Sequence, residues 1–351
     1  MKNILKRLKI RNFVSFVSFW IILFLYLLAI FADFIAPYPF NKQFRDYPLC
    51  PPTKIHFFDK NKRFHLRPFV YEYKLVNPAL NKYEILTEKI CPIYFFVKGE
   101  KRKILGLFYS DRYLFGTKEG KIFIFGTDIH GRDIFSRILY GARISLSIGI
   151  IGVSISFFLG FLIGGISGYF GGKIDNIIMR IVEIFMMFPS FYLMLSLRAA
   201  FPINLSSFQI YLLIVIILSF IGWAGLARII RGMVLSIKEE EYVLASKALG
   251  LSTFKIIFKH IIPNTFSYSI TAITLSIPGY ILGESTLSLL GLGIQEPYPS
   301  WGNMLSVCIG NLRILSTAPW MLTPGFFIFL TIISFNFLGD GLRDVLDPKN
   351  W

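Results

Sequence analysis

The chain has 351 residues, of which 54% are hydrophobic and 17% aromatic, and its formal net charge is +16. The mean hydropathy of +0.59 excludes an ordinary soluble domain and predicts a protein with several membrane-spanning helices. The positive charge does not indicate nucleic-acid binding, because the basic residues lie outside the apolar runs and form no base-stacking motif with aromatic residues. Solvated loops and anchoring at the inner leaflet explain this charge better.

The N-terminal segment, residues 1–35, predicts a cytoplasmic start followed by a first membrane span. Residues 1–12 contain no acidic side chain, and the apolar run extends from Phe13 to about Ile35. This run is longer than the hydrophobic core of roughly 7–15 residues found in cleaved signal peptides, so we expect it to be retained. The positive-inside rule places its start in the cytoplasm. The basic residues concerned are Lys2, Lys6, Arg7, Lys9 and Arg11.

Residues 36–125 are predicted to form a β-rich insert outside the membrane. Prolines separate short runs of aromatic and β-branched residues, and such runs are typical of strands. The runs are Arg67 to Val76, Ile93 to Val97 and Lys121 to Phe125. The insert is rich in basic residues, but long loops cross the membrane largely regardless of charge. The order of the later spans therefore places it on the extracytoplasmic side.

Two of the three cysteines, Cys50 and Cys91, lie in this insert. An oxidising compartment would allow a disulfide between them. Their spacing fixes no geometry, however, so a disulfide and two free buried thiols are equal alternatives.

Residues 126–351 are predicted to hold five further helices, with both chain ends in the cytoplasm. An amphipathic interfacial helix over Asp133–Arg143 precedes the first of these spans. The third span of the chain is broken at Phe188-Pro189, because proline removes a backbone donor and kinks a helix. The predicted spans are Ile144 to Phe170, a segment ending near Leu197, Phe208 to Leu226, Phe266 to Leu292 and Pro319 to Leu338.

Gly160 and Gly164 form a small-xxx-small pair in the second span. Such a pair is a helix-packing device, although glycine is also common in membrane helices without this role. Both interpretations are open from the sequence.

A charged stretch, Glu239 to Pro263, interrupts the apolar runs and predicts a cytoplasmic docking loop, named loop 239–263 below. A first short helix begins with three glutamates and ends at Gly250, which can adopt a left-handed backbone conformation. A second helix carries Phe254, Ile257, Phe258 and Ile261 on one apolar face and ends at Pro263. We expect two short helices hinged at a glycine, exposed for a partner.

Catalytic motifs are weak. Gly165 to Gly168 contains Ser167 in a pattern similar to that of intramembrane serine proteases. The four histidines of the chain all lie outside the predicted spans, so no base is available to activate the serine. An intramembrane hydrolase is therefore the disfavoured alternative, and Ser167 is more simply a small residue at a helix contact. No P-loop and no zinc spacing occur, which predicts no cofactor, no metal and no ATP bound by this chain.

Glu284 is the one carboxylate well inside a predicted span. An ionisable group there is expensive and indicates a function. The sequence leaves open contact with a cationic substrate group, a pair with a partner subunit, and a structural hydrogen bond to a neighbouring helix.

Several motifs together resemble one family, the membrane permeases of ABC importers for dipeptides and oligopeptides, and within it the C-type subunit. The match covers most of residues 1–35 and 126–351. The motifs are Gly126-Thr127-Asp128, Gly131-Arg132-Asp133, Ser136-Arg137, Gly141 to Leu146, Glu284 to Ser288, Gly291 to Gly293, Pro299 to Gly302, Phe335-Asn336, Gly339 to Asp344 and Asp347-Pro348.

This resemblance implies an all-α permease of about six transmembrane helices, of the type I importer class, in a bacterial inner membrane. It identifies loop 239–263 with the family's coupling helix, which docks into a separate ATPase subunit. The family's glutamate falls at Leu244, so the glutamate is missing here, and Glu241 one turn earlier is a substitute candidate. The implied coupling residues are Glu241, Leu244, Ala245, Ser246, Gly250, His260 and Pro263.

The implied partners are a homologous permease, two ATPase subunits that bind ATP and Mg²⁺, and an extracytoplasmic substrate-binding protein. The chain itself is expected not to be an enzyme. Phe188, Pro189, Glu284 and Ser285 are candidates for lining the translocation pathway. The substrate is expected to be a dipeptide or oligopeptide, with nickel complexes or other small solutes as the alternative. A secondary transporter is disfavoured, because neither internal repeats nor paired broken helices are clear.

Overall fold

The computed structural model describes residues 7, 8, 10, 12–104, 108–202 and 204–346. Lys2, Lys6, Lys9, Arg11 and the Asp347-Pro348 tail lie outside the described residues. Two compact units are present: Met1–Ile22, Ser147–Glu284 and Leu330–Trp351 form one, and Leu23–Leu146 and Ser285–Phe329 form the other. They are called the helical unit and the mixed unit below.

Most of the described chain is helical, and the helices are numbered in chain order. They are α1 Phe13–Ile30, α2 Ala32–Ile35, α3 Ile134–Phe170, α4 Gly172–Met187, α5 Ser190–Ala199, α6 Ser207–Ile237, α7 Glu241–Ala248, α8 Thr253–Ile256, α9 Ile262–Leu289, α10 Trp301–Ile309, α11 Leu312–Thr317 and α12 Thr323–Leu346. A π-helical turn, Ile257–Ile261, joins α8 to α9, and 3₁₀ turns occupy Pro78–Leu80 and Pro319–Leu322.

The mixed unit contains a four-stranded antiparallel sheet in the order β1-β2-β3-β4. Its strands are β1 His56–Phe58, β2 Phe64–Asn77, β3 Lys82–Ile104 and β4 Phe108–Thr117. The first half of β3 pairs with β2, with Val70 opposite Cys91, and the second half pairs with β4, with Tyr94 opposite Gly116. One long strand thus joins two hairpins.

The run Lys121 to Phe125 was predicted as a strand, and this prediction is wrong. Ile122 and Phe123 are buried at 1% exposure each, and side-chain oxygens accept their backbone N–H groups. Tyr38 Oη accepts from Ile122 N at 3.0 Å, and Thr53 Oγ1 accepts from Phe123 N at 3.0 Å. Because these donors are satisfied by side chains, the segment needs no strand partner.

The second predicted span is longer than the sequence indicated. Helix α3 runs without a break over 37 residues, so Asp133–Arg143 is not a separate interfacial helix. The segment contains no proline, and Gly141 serves a close contact: a Cβ there would lie 3.4 Å from Trp301 Cδ1 and from the Ser300 carbonyl carbon. Ser136 and Arg137 at this end are buried, and the helix continues through them into the apolar segment.

Gly160 and Gly164 lie where α3 packs closely on α6 within the helical unit. A Cβ at Gly160 would lie 2.9 Å from Trp223 O, and one at Gly164 would lie 2.3 Å from Ala227 O. Real Cβ atoms do not approach backbone oxygen this closely, so each glycine permits the contact. The packing interpretation of this pair is the one that the structure supports.

Four helical segments are long and apolar enough to cross a membrane: Phe13–Ile30, Ile134–Phe170, Ser207–Ile237 and Pro319–Leu346. The pair α4 and α5 makes a fifth if the two are one span, although they are bent by 84°. The predicted fifth span corresponds to α9, which has 28 residues and is not among these. The described residues thus contain four or five candidate spans where six were expected.

Candidate docking loop and buried polar sites

Loop 239–263 contains α7 and α8, which are joined at Gly250 as expected, but α7 begins at Glu241, so only one of the three glutamates lies within the helix. Gly250 has a φ of +76°, and the turn is closed by Leu251 N, which donates to Ser246 O at 3.2 Å, and by Gly250 N, which donates to Lys247 O at 3.0 Å. This pair of backbone hydrogen bonds at the C-terminus of a helix requires a residue with a left-handed backbone conformation. Glycine adopts that conformation at no side-chain cost. The local sequence therefore explains the hinge between the two helices.

One face of the loop is fixed to the end of α6 inside the helical unit. Val243 from α7, Ile256 from α8 and Ile261 from the π-helical turn are 3%, 1% and 1% exposed, and they cluster with Ile230 and Val234. Burial of five branched aliphatic side chains removes a large apolar area from water, and such burial is the main source of packing free energy. The loop is consequently seated on α6 by apolar contacts.

The predicted apolar face of the second helix is only partly right. Phe254 is 70% exposed, whereas Ile256, which the 3.6-residue period left out, is buried. The cause is the π-helical turn at Ile257–Ile261, since a π-turn inserts extra rotation and shifts which side chains share a face. The side chain of Phe258 lies outside the described set.

Pro263 was expected to end the second helix, and it does not. It is the second residue of α9, which continues to Leu289. Proline lacks the N–H that an α-helix interior needs, but the first turn of a helix leaves its N–H groups without intrahelical partners. Because α9 starts directly after the π-helical turn, Pro263 falls in the first turn of α9, where a proline is tolerated.

Polar contacts connect the two halves of the loop. Ser246 Oγ lies 3.4 Å from His260 Nε2 and donates to Tyr242 O at 2.8 Å. Asn264 Nδ2 donates to the Tyr242 hydroxyl at 2.9 Å and to His260 O at 2.7 Å. These contacts give the expected site residues Ser246 and His260 an internal role, because both side chains face their own loop.

The opposite face of the loop exposes apolar side chains. Leu249 is 80% exposed, Phe254 70% and Leu244 47%. Glu241 and Ala245 are exposed on the same short helix. Glu241 precedes Leu244 by three residues, so the two side chains lie on one side of α7. Exposed apolar groups on a firmly seated element form a surface that suits a protein partner.

The break expected at Phe188-Pro189 is present and is sharper than a kink. Helix α4 ends at Met187 and α5 begins at Ser190, with an angle of 84° between them. Pro189 has an extended ψ of 119° and Phe188 one of 128°. The residue before a proline is driven out of the helical region, which explains why two residues are lost from the helix. Both side chains are exposed.

Glu284 and Ser285 lie near the end of α9 and are both buried, at 0% and 4% exposure. Glu284 follows Gly283, where a Cβ would lie 2.7 Å from Leu218 Cδ2 and 3.7 Å from Met194 Sδ. Met194 belongs to α5, so the broken helix pair approaches α9 next to this carboxylate. Ser285 Oγ has no hydrogen-bond partner within the described part of the chain.

A group of four charged residues, three of them buried, lies in the mixed unit, and sequence reasoning did not find it. Arg132 donates through Nε to Asp128 Oδ2 at 2.7 Å and through Nη2 to Glu296 Oε1 at 3.1 Å. Arg137 donates to the same Glu296 Oε1 at 3.0 Å. The side chains of Arg132 and Arg137 are only 5% and 2% exposed, and that of Glu296 is 44% exposed. This charge cluster, Asp128, Arg132, Arg137 and Glu296, balances two cations with two carboxylates.

The electrostatic shifts follow from this arrangement. The hydrogen bonds and charges of the two arginines hold the pKa of Glu296 below its ordinary value, although partial burial opposes this shift. Next to the cluster, burial raises the pKa of Asp133 to about 7, against hydrogen bonds from Ser136 that favour the charged carboxylate. One oxygen of Asp133 has no hydrogen-bond partner among the described residues. The arginines of motif residues 126–137 thus hold the Glu296 carboxylate ionised, whereas Asp133 is about half protonated at pH 7.

Ser167 has a contact unlike that of a catalytic serine. Its hydroxyl donates to Asp175, and Asp175 is paired with Arg231, whose Nε lies 3.0 Å from Oδ1. The carboxylate is therefore already neutralised by a cation, and it orients Ser167 instead of activating it. Arg231 lies within α6, which continues beyond the predicted end of the fourth span at Leu226 to Ile237.

Cys50 and Cys91 are both free and buried. They belong to separate apolar clusters of the mixed unit: Cys50 packs with Phe44, Tyr73 and Phe123, and Cys91 with Val70, Ile93 and Ile122. Burial raises the pKa of the Cys50 thiol to about 12 and also raises that of Cys91. Of the two open alternatives, the structure contains the free thiols.

These features define a multi-pass membrane protein with a seated docking loop between two long helices. The family model of the binding-protein-dependent transport system inner membrane component matches residues 160–351. A second model, the N-terminal transmembrane domain of oligopeptide transport permease C, matches residues 1–52. The chain belongs to this family of inner membrane transport components, and within it to the C-type permeases.

Curated relatives agree with the family models. The dipeptide transport system permease protein DppC of Bacillus subtilis is 49% identical over 226 residues, which is 64% of this chain and 68% of that protein. The oligopeptide transport system permease protein OppC of Haemophilus influenzae is 47% identical over 67% of this chain and 72% of that protein. OppC of Bacillus subtilis is 44% identical over 64% of this chain and 71% of that protein.

Family membership establishes the role of this chain as a membrane subunit of an ABC transporter, which is a transport role and not an enzymatic one. The family works with an ATPase and a substrate-binding protein, and its members lie in the inner membrane with several spans. Residues 53–159 are matched by neither family model. The sheet and the charge cluster, except Glu296, fall within that unmatched range.

Proposed function

We propose that this chain is the C-type permease of an ATP-driven importer of dipeptides or oligopeptides. The relatives at 44–49% identity are named for dipeptide and oligopeptide transport, and no feature of the described residues favours nickel complexes or other solutes. The chain forms half of the translocation pathway, and a homologous permease forms the other half. Two ATPase subunits hydrolyse ATP, and an extracytoplasmic binding protein delivers the peptide.

The observation that carries the coupling role is the two-faced character of loop 239–263. Its buried face is seated on α6 through Val243, Ile256 and Ile261, and its opposite face presents Leu249 and Phe254 to solvent. An element that transmits motion must be firmly attached on one side and able to bind a partner on the other. Nucleotide-driven closure of the ATPase pair is passed through this loop to α6 and α9, which biases the helices between two states.

The residues of the loop divide by role. Leu244, Ala245 and Glu241 are exposed and contact the ATPase, with Glu241 supplying the carboxylate that Leu244 lacks. Ser246 and His260 keep the two helices together, and Gly250 forms the hinge. Pro263 lies in the first turn of α9, so motion of the loop is delivered directly to the helix that carries Glu284.

The membrane arrangement that we propose has six spans. The four long apolar segments, the bent pair α4 and α5, and α9 make up this count, with both chain ends in the cytoplasm and the insert of residues 36–125 outside. The pathway wall includes the break at Phe188-Pro189 and the buried Glu284 and Ser285. An intramembrane carboxylate close to a broken helix is a favourable place for contact with a substrate.

The test is ATP hydrolysis by the transporter reassembled in lipid nanodiscs with its partner subunits and the peptide-loaded binding protein. Leu249→Asp places a charge on the exposed face of the loop. We expect stimulation by the loaded binding protein to fall by more than about tenfold, since a desolvated charge at an interface costs a few kcal/mol. The melting temperature should not change, because Leu249 is 80% exposed.

Leu66→Asp is the matched control. Leu66 is 87% exposed on β2, so it introduces the same charge at an equally exposed leucine far along the chain. Normal stimulation in Leu249→Asp, or an equal loss in both variants, would contradict the role of the loop. ATP-independent uptake by this chain alone would contradict the importer.

A further inference from the structure

The insert contains a cavity that the transport function does not explain. A space of about 310 Å³ lies between the segment Pro37–Lys42, β3 and β4, all within the mixed unit. Ligand pockets in proteins range from about 300 to 1,000 Å³, so this space is large enough for a small molecule. Its cationic lining residues are Lys42, Lys98, Arg102, Lys118 and Lys121, and the one acidic lining residue is Glu100.

Several of these cations have no carboxylate nearby. Lys42 pairs with Glu100, and Lys98 has Asp111 at 3.6 Å. Among the residues that the structure describes, no carboxylate lies within ion-pair distance of Arg102, Lys118 or Lys121. Lys118 lies over the Tyr94 ring at 4.8 Å and Lys121 over the Phe44 ring at 5.3 Å. The cavity therefore has an excess of positive charge that an anion would neutralise.

Arg102 gives the site its geometry. Its Nη1 donates to Ala36 O at 3.0 Å, and its guanidinium stacks on the Tyr113 ring at 4.0 Å. Its Nε and Nη2 are buried and have no hydrogen-bond partner in the described structure. A buried donor without an acceptor is costly, and it indicates a missing partner.

The two orphaned donors lie on the same edge of the guanidinium. The Nε–H and Nη2–H bonds point in parallel, and this fork matches the two oxygens of a carboxylate in a bidentate pair. Arg102 lines the cavity and both atoms are buried, so an entering carboxylate must displace a side chain that covers this edge of the guanidinium. Lys118 is exposed and lies at the rim, where it attracts the anion.

We propose that the insert binds a small carboxylate, such as the C-terminal carboxylate of a short peptide, in the cavity between β3 and β4, with Arg102 as the bidentate partner. Lys118 and Lys121 supply additional positive charge. Arg102, Lys118 and Lys121 lie in the part of the chain that neither family model covers, and the site goes beyond the coupling role proposed above.

The test is isothermal titration of the purified full-length chain in lipid nanodiscs with three probes: alanyl-alanine, alanyl-alanine amide and inorganic phosphate. We expect alanyl-alanine to bind at least about tenfold more tightly than its amide, since the loss of one charged bidentate contact has an effect of that size. Phosphate should bind more weakly than the free dipeptide. Equal binding of the dipeptide and its amide would overturn the proposal, and so would tighter binding of phosphate.

The variants locate the site. Arg102→Gln should abolish the preference for the free carboxylate, and Arg102→Lys should retain charge but lose most of the affinity, because lysine has no fork. The matched control is Lys101→Gln, which removes the same charge from the neighbouring, exposed residue of β3. Lys101 does not line the cavity, so this change should leave binding intact.

A second variant protects the test against misfolding. Lys118→Gln combined with Lys121→Gln changes side chains at or near the surface and should weaken binding about tenfold or more while the melting temperature is retained. Equal affinity in this variant and the wild type would contradict the site. Binding that is lost in Glu284→Gln and kept in Arg102→Gln would assign the peptide to the transmembrane pathway. None of these measurements depends on ATP hydrolysis, so they are independent of the proposed function.

Discussion

Loop 239–263 and the charge cluster of the mixed unit are held in place by opposite kinds of interaction. The loop buries apolar side chains such as Val243 and Ile256, uses neutral hydrogen bonds and exposes Leu249. The charge cluster buries Arg132 and Arg137 and fixes them with the carboxylates of Asp128 and Glu296. The loop therefore leaves apolar area available for a partner, whereas the charge cluster satisfies its charges internally.

The difference matters for the effect of mutations. Apolar contacts are non-directional and degrade gradually, so the loop tolerates surface changes and responds mainly in its coupling. A buried ion pair stabilises little relative to an apolar substitute, but removing one member leaves an uncompensated charge. We expect the charge cluster to be sensitive in stability and the loop to be sensitive in function.

The largest effect is expected for Arg137→Ala. Arg137 is 2% exposed and contacts Asp128 and Glu296, so its removal should destabilise the protein by about 3–5 kcal/mol. Thermal unfolding in nanodiscs measures this change. Arg180→Gln is the control, because Arg180 is 82% exposed in a pair with Glu183, and it should cost less than about 1 kcal/mol. A comparable loss of stability in the two variants would contradict the expected difference between buried and exposed ion pairs.

The second prediction concerns pH. The pKa of Asp133 is about 7 in the folded protein, against an ordinary value of 3.8, so folding takes up a proton. Stability contributed by this group is present at low pH and is lost as the pH rises from about 4 through about 7. The shift corresponds to about 4 kcal/mol at 1.36 kcal/mol per unit. Glu296 titrates below its ordinary range and stays ionised in this window.

Unfolding of the wild type and Asp133→Asn at pH 5, 6, 7 and 8 tests this prediction. Asparagine is neutral at every pH and still accepts hydrogen bonds from Ser136. The wild type should lose stability relative to this variant as the pH rises. Parallel pH profiles of the two proteins would show that Asp133 does not take up a proton on folding.

A smaller effect is expected for Gly250→Ala in the loop. An alanine at a φ of +76° should cost about 1–2 kcal/mol through backbone strain. Gly232→Ala is the control, because Gly232 lies within α6 and an added Cβ there would meet no atom within 4 Å. That change should stabilise by about 0.5–1 kcal/mol, since alanine is the better helix former. The same sign in both variants would contradict the hinge.

Glu241→Gln should change stability by less than about 0.5 kcal/mol, because the side chain is exposed on a surface helix. It should nevertheless lower the ATPase stimulation by the loaded binding protein several-fold, if Glu241 replaces the carboxylate missing at Leu244. Glu239→Gln, an exposed neighbour outside α7, should leave stimulation unchanged. Full ATPase stimulation in Glu241→Gln would contradict a contact between the Glu241 carboxylate and the ATPase.

The smallest effect is expected when reductant is added before the two cysteines of the insert are labelled. Cys50 and Cys91 are free and buried, and burial raises both thiol pKa values, so maleimide labelling should be slow in the native protein. After denaturation without reductant, both should label fully, and prior reductant should add nothing. Labelling that requires reductant would establish a disulfide and overturn the free thiols.

The sequence determined those features that depend on local chemistry or on long apolar runs. The apolar runs predicted the long helices, Phe188-Pro189 predicted the helix break, and Gly250 predicted the left-handed turn, because each depends on a few neighbouring residues. The motifs along residues 126–348, taken together, carried the resemblance to the family. The sheet residues Arg67 to Val76 and Ile93 to Val97 also lie in strands.

The tertiary structure alone decided the contacts between distant residues. Glu296 meets Arg132 across 164 positions of sequence, and no periodicity marks a carboxylate in a proline-rich loop as the partner of two arginines. The π-helical turn moved Ile256 into the buried face, and side-chain acceptors removed Lys121 to Phe125 from the sheet. Such outcomes depend on which groups satisfy one another in three dimensions, and a single sequence records the groups without recording their pairing.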